Sequence, residues 1–259
     1  MPYDVNGQIL TNLQVKEYNE KNLIKYSVLY LDANNAASYP GSGNTWYDLS
    51  GEERHFTMAS YNGGSNPVFV NTTNRNYFQF TGINAPAASY QGGGYFTRGA
   101  SINTNQSTTS VWFNNNTSSP KVMILGGTGN ETSVYQGVEM YLNGLAIGYM
   151  SSRVSTGGGT SYSDLHSPYS YNTWYNLTQT FNSATQRLYV NGVLYASASF
   201  SNAQNWPNKH YMIGAHHVPS GNPAEFMNGA IGQYIIYPTA LTAAEVLQNF
   251  NATRKPYRI

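Results

Sequence analysis

The chain has 259 residues, a formal net charge of +1 and only 10% charged side chains, against about 25% in ordinary soluble proteins. Sparse Lys and Arg exclude the clustered positive field on which nucleic-acid binding rests, and the absence of Cys excludes disulfides and thiolate metal sites. No apolar run approaches the roughly 18 residues of a membrane-spanning helix.

Aromatic residues make up 14%, led by 23 Tyr. Tyr is a strand former first. Exposed beside Asn and Ser, it also suits carbohydrate or protein contacts.

Residues 1–26 stand apart, because Lys16, Glu17, Glu20, Lys21 and Lys25 give them a density of charge found nowhere else in the chain. Their helical period is weak, so they read as an arm or adaptor. The opening Met1-Pro-Tyr-Asp-Val-Asn-Gly lacks the basic and apolar regions of a secretory signal. Read as a complete chain, the protein is expected to fold in the cytosol of the cell that makes it.

Strand patterns begin at residues 27–32 and recur at 55–59, 68–70, 77–81, 107–114, 122–126, 138–142 and 145–150. Between the first two, residues 34–44 read as a loop. The turn Trp46-Tyr-Asp-Leu-Ser-Gly51 follows, in which Asp48 or Ser50 is expected to bond backbone amides. Asn143-Gly144 predicts a hairpin. Gly92–Gly94 and Gly157–Gly159 read as loops, since no Lys-Ser/Thr pair follows to make a phosphate site.

Residues 174–199 read as three consecutive strands. The last two are joined by Asn191-Gly192, whose residues accept the positive φ of a type I′ turn. That turn predicts Val190 opposite Val193 and Leu188 opposite Tyr195. Residues 211–215 and 229–237 complete the strands. The one convincing helix starts at Thr242-Ala-Ala-Glu245, a capping box, with Ala243, Val246, Leu247 and Phe250 as its buried stripe. Evenly spaced strands with one late helix predict an all-β, two-sheet antiparallel β-sandwich in one domain, residues 27–259.

Val28-Leu-Tyr-Leu-Asp-Ala33, Tyr39-Pro-Gly-Ser-Gly43, Trp46–Gly51, Thr109-Ser-Val-Trp-Phe113, Leu188-Tyr-Val-Asn-Gly-Val-Leu194 and Phe226-Met-Asn-Gly-Ala-Ile231 occur in that order. With the segment 236–251 they resemble the laminin-G type of concanavalin A-like jelly roll, over about residues 27–254. The resemblance implies the fold, which hosts glycan-binding modules, adhesion domains, glucanases and virus structural proteins, so function rests on sites.

A glucanase of this kind carries two Glu and an intervening Asp on one strand, and no such strand is present. No enzyme activity is expected. The family's common cofactor is calcium, but Gly232-Gln233 stands where related sequences carry an acid. Asp164 and Glu225 are the acids left for such a site; no cofactor and no metal is assigned. His216-His217 lacks a third zinc ligand.

The expected function is a non-enzymatic virion structural protein, a capsid decoration, head-fibre or tail-associated subunit. Residues 1–26 would dock to other virion proteins, and the sandwich, in a homo-oligomer, would face outward toward host-surface glycans. The alternative is an extracellular bacterial carbohydrate-binding or adhesion module. Trp206, His216, His217, Tyr169 and Tyr171 are the expected ligand contacts, on rim loops.

Overall fold

The computed structural model describes residues 26–83, 92–98, 102, 106–117, 123–129, 138–155, 162–200, 210–217 and 222–259. Among them the strands run β1 Leu29–Asp32, β2 Thr45–Trp46, β3 Phe56–Tyr61, β4 Val68–Asn71, β5 Asn76–Thr81, β6 Gly93–Arg98, β7 Ser107–Asn114, β8 Met123–Gly129 and β9 Val138–Leu142. They continue as β10 Tyr149–Ser155, β11 Tyr162–Pro168, β12 Trp174–Phe181, β13 Thr185–Val190, β14 Val193–Ser199, β15 His210–Ile213, β16 His216–His217, β17 Pro223–Ala224 and β18 Asn228–Tyr237. One helix, α1 Ala243–Thr253, and a 3-10 turn at Lys255–Tyr257 close the chain.

Two antiparallel sheets face each other. The first has the order β14-β13-β12-β7-β18-β5-β4, with β1 also paired to β18, and the second β11-β10-β9-β8-β15-β6-β3-β2. Strand side chains alternate between faces, so each sheet turns one set inward. Val111, Phe113, Leu177, Leu188 and Ile231 of the first sheet pack on Phe96, Met123, Leu125, Met140 and Ile213 of the second, all fully buried. The hydroxyls of Tyr211 and Tyr234 meet between the sheets at 2.9 Å. β18 closes the first sheet: its first half pairs with β5 and its second with β1.

The first sheet is also sealed on its outer side. Trp112 of β7 points away from the core and lies between Phe250 (ring centroids 5.7 Å apart) and Tyr257 (4.1 Å), donating through Nε1 to Thr253 Oγ1 at 2.9 Å. The capping box forms as expected: Thr242 Oγ1 accepts from the Glu245 amide, and Glu245 Oε2 accepts from the Thr242 amide at 2.7 Å. The buried stripe differs from expectation. It is Val246, Phe250 and Thr253, while Leu247 is 43% exposed, because α1 meets the sheet through Trp112.

Asp48 organises its turn, accepting from the amides of Tyr30 (2.8 Å), Ser50 (2.9 Å) and Arg54 (3.0 Å). Three local expectations are corrected. The β9–β10 connection is not a two-residue turn but a loop over 143–148, in which Asn143 Oδ1 accepts from the Gly148 amide, so β10 starts at Tyr149 instead of residue 145. Gly93 and Gly94 lie in strand β6, where a Cβ on Gly93 would come within 2.8 Å of the Phe226 side chain. They are glycines for close packing, not for a loop.

The Asn191-Gly192 turn forms, with φ of +50° and +79° and Val190 opposite Val193. Beyond it a bulge at Tyr195 places Leu188 opposite Ala196. Gly192 also touches the helix, since a Cβ there would lie 2.9 Å from Phe250 Cβ. Gly192→Val therefore combines left-handed strain with overpacking, and should cost at least about 2 kcal/mol. Urea unfolding should show a lower midpoint for this variant; an unchanged midpoint would mean that the turn does not set the fold.

Candidate functional site

The outer face of the second sheet is polar at one end, and alternation explains why. In β9, Met140 and Leu142 point into the core, so Glu139 and Tyr141 point out; in β10, Met150 and Val154 point in, so Ser151 and Arg153 point out. In β11, Leu165 points in, and Tyr162, Asp164 and His166 point out. The register then lines these residues up. Arg153 is directly opposite Glu139 on one side and Asp164 on the other, and Ser151 is opposite Tyr141 and His166.

Arg153 is the centre of the first row. Its Nε and Nη2 each donate to Asp164 at 2.7 Å in a bidentate pair, and its Nη1 lies 3.9 Å from Glu139 Oε2. The guanidinium also stands over two rings, 5.1 Å from the centroid of Tyr141 and 4.5 Å from that of Tyr162. Burial opposes its charge, but the Asp164 hydrogen bonds and the surrounding anionic groups outweigh that and raise its pKa. Burial, with Asp164 adding to it, likewise raises the Tyr141 phenol. In the next row Ser151 Oγ and His166 Nδ1 are 2.8 Å apart.

Exposure rises along the face. Glu139 and Tyr141 are buried, Arg153, Asp164 and His166 are half-buried, and Tyr162 is 54% exposed. Gly127 of β8 makes the room for Glu139, because a Cβ there would lie 2.9 Å from Glu139 Cγ.

The buried end of the face is covered by the ribbon of β16 and β17. His216 is 4% exposed; its Nδ1 is 3.2 Å from Glu139 Oε1 and its Nε2 is 3.3 Å from Glu225 Oε2. The first contact is a hydrogen bond. The second is an ion-pair distance lying off the hydrogen-bond direction, so Nε2 is buried without a hydrogen-bond partner. Burial disfavours a charged imidazole, but Glu139 and Glu225 outweigh it and raise the His216 pKa. Burial also raises the Glu225 carboxyl, Glu139 adding to that effect and His216 opposing it.

Four of the five residues expected to contact a ligand fall among the described residues. Tyr169 is buried; its hydroxyl accepts from Asn115 Nδ2 at 2.6 Å and donates to Asn143 Oδ1 at 3.0 Å, and burial pushes its pKa up to about 12. Tyr171 packs edge-on against it at 5.6 Å. His216 is enclosed by carboxylates, and the backbone of His217 pairs with Pro223. Trp206 lies outside the described residues. Tyr162, Arg153 and His166 were not singled out by the sequence, although the alternation of Val-Glu-Met-Tyr-Leu and Tyr-Met-Ser-Ser-Arg-Val-Ser carries the signal.

No three His, Asp or Glu side chains among the described residues are arranged to hold a metal. Asp32 does not fit a calcium site. Its oxygens accept from the Asn34 amide (2.9 Å), Asn34 Nδ2 (3.2 Å), Tyr30 (3.2 Å) and Gln233 Nε2 (3.0 Å).

Residues 88–247 match a laminin G family model described as concanavalin A-like lectin/glucanases superfamily. Among solved structures the fold is similar to HCR/D-Sa-GBL1/C, at 17% identity and TM-score 0.62, covering 89% of this chain and 52% of that one. It is also similar to the binding domain of botulinum neurotoxin DC in complex with SialylT (15%, TM-score 0.61, 88% and 51%). A third is botulinum neurotoxin type C, in a structure titled for cell entry through two ganglioside molecules (15%, TM-score 0.61, 89% and 52%). The chain spans about half the length of these structures, and at such identities the likeness is one of fold. No curated protein sequence matches the chain.

The charged row should be stabilising only as a unit. Arg153→Met leaves Glu139 and Asp164 without their shared cation and should cost about 3 kcal/mol. Denaturant unfolding of Arg153→Met beside Arg187→Met, a single Arg outside this row, should show a loss confined to the first; equal losses would mean that the row has no special role.

Proposed function

Because the chain belongs to the concanavalin A-like lectin/glucanases superfamily, we propose that it is a non-enzymatic carbohydrate-binding sandwich whose sugar site is the open part of the β9–β11 face. The observation that carries this reading is Tyr162. It is an exposed aromatic ring braced by a guanidinium, with Asp164 and then His166 following along the same face of β11, groups able to bond sugar hydroxyls. A pyranose presents C–H groups on one face and hydroxyls around its edge, so it suits an aromatic platform with a polar border.

Binding is favoured over hydrolysis by the state of the acids. Glycoside cleavage requires two carboxyl groups facing the scissile bond, one free to donate a proton and the other free to attack or activate water. Here Asp164 is held bidentately by Arg153, and Glu139 and Glu225 flank His216. Structures of similar fold that are described as a complex with SialylT and as entering cells through interaction with two ganglioside molecules add support.

The finer reading places this sandwich on a virion surface, as a homo-oligomeric subunit docked to other virion proteins through residues 1–26. Two features support it: the concentration of charge in that segment, and a sandwich whose first strand, β1, is already paired with β18.

Tyr162→Ala should lower affinity for sugars found on a glycan array about tenfold or more, roughly 1.4 kcal/mol, while Tyr195→Ala on β14 should leave it unchanged. Equal affinities for wild type and Tyr162→Ala would remove the site. Deleting residues 1–26 should abolish incorporation into particles, and a truncated chain that still incorporates would refute docking through the arm.

A further inference from the structure

The interior of the sandwich is not apolar throughout. Val111, Leu177, Leu188 and Met150 point into the core, so alternation turns Thr109, Gln179, Gln186 and Ser152 inward as well. All four are buried, Gln179 at 1% and Gln186 at 0% exposure. On the first sheet Thr109 is directly opposite Gln179, and Gln186 lies one diagonal step further, opposite Phe181. Thr109 also bonds the Tyr211 hydroxyl, which meets that of Tyr234 at 2.9 Å. Together these residues form a polar seam between the sheets, running from β18 to β13.

The seam is incomplete at its two amides. Gln186 Nε2 crosses the sandwich to donate to the Ser152 carbonyl at 3.0 Å, and lies 3.2 Å from Ser152 Oγ. Gln179 Nε2 points at the next carbonyl, that of Arg153, from 3.5 Å. Both donor ends are thus turned to β10, and both Oε1 atoms are buried with no hydrogen-bond partner among the described residues. Turning either amide over would set its oxygen against a carbonyl, so this orientation is fixed. An amide oxygen removed from water and left unpaired costs free energy that packing alone does not recover.

These oxygens need a donor, and two of them on neighbouring strands suit a molecule with two. Water is such a molecule, neutral and small. The seam contains no carboxylate among the described residues, so a bound cation would lack a counter-charge there. Short side chains make room, since Thr109, Ser152 and, opposite Phe181, Ser107 stand where the rest of the core carries Leu, Met or Phe. We propose that the sheets enclose a resident water site, in which water donates its O–H groups to Gln179 Oε1 and Gln186 Oε1 and completes the seam. The water joins β12 to β13, and Gln186 joins both to β10. The site lies on the inner side of β10, opposite the side that carries Ser151 and Arg153, so it stands independently of where sugar binds.

Oxygen-17 magnetic relaxation dispersion on the full chain counts water molecules held for longer than the protein takes to tumble, and it does not register protein hydroxyls. A chain of this size holds about ten buried waters, so the difference between variants carries the test. Gln179→Met and Gln186→Met should each hold at least one long-lived water fewer than wild type. Gln79→Met on β5, whose amide donates to the Phe80 and Gly229 carbonyls, should keep the wild-type count. Gln179→Met leaves the tie between Gln186 and Ser152 in place, so it serves where Gln186→Met does not fold. An unchanged count in folded Gln179→Met, or a wild type with no long-lived water, would overturn the proposal.

Discussion

Two carboxylates on the strands either side of a third can be tolerated out of water only if a cation stands between them. Arg153 is that cation. The register of β9, β10 and β11 places it opposite both Glu139 and Asp164, its fork matches the geometry of Asp164, and its flat charge rests on two tyrosine rings. Everything proposed for this face depends on that arrangement. It orients Asp164, braces Tyr162, and leaves Glu139 with an oxygen for the ribbon histidine.

The two sheets use their outer faces differently, although both are built by the same alternation. On the first sheet Trp112 is enclosed by Phe250, Thr253 and Tyr257, so helix and chain end act as a lid of aromatic packing. On the second, the rows of Glu139, Arg153 and Asp164 and of Tyr141, Ser151 and His166 are polar, and they become more exposed toward β11. The division gives one outer face of the sandwich to aromatic packing and leaves the other polar and partly exposed.

Much of the fold was legible because short-range chemistry determines it. The Thr242–Glu245 box, the Asn191-Gly192 turn and the Asp48–Ser50 turn each satisfy backbone groups within a few residues, and each forms. Two of the misreadings come from long-range packing. Gly93 lies in a strand because Phe226, more than 130 positions later, presses against it, and Leu247 is exposed because Trp112 selects another stripe of the helix. The site was less legible for the same reason. Glu139, Arg153, Asp164, His216 and Glu225 are scattered over 87 positions and meet only through strand register and the return of the ribbon.

The central claim is that recognition occurs on the open β9–β11 face. It is tested most directly by mapping amide chemical-shift changes as a sugar that binds the chain is titrated in. The account predicts changes centred on Tyr162, Asp164 and His166, fading along Arg153 toward Glu139, with none along β14. Changes centred on β14 or on helix α1, with the Tyr162 face unperturbed, would contradict it.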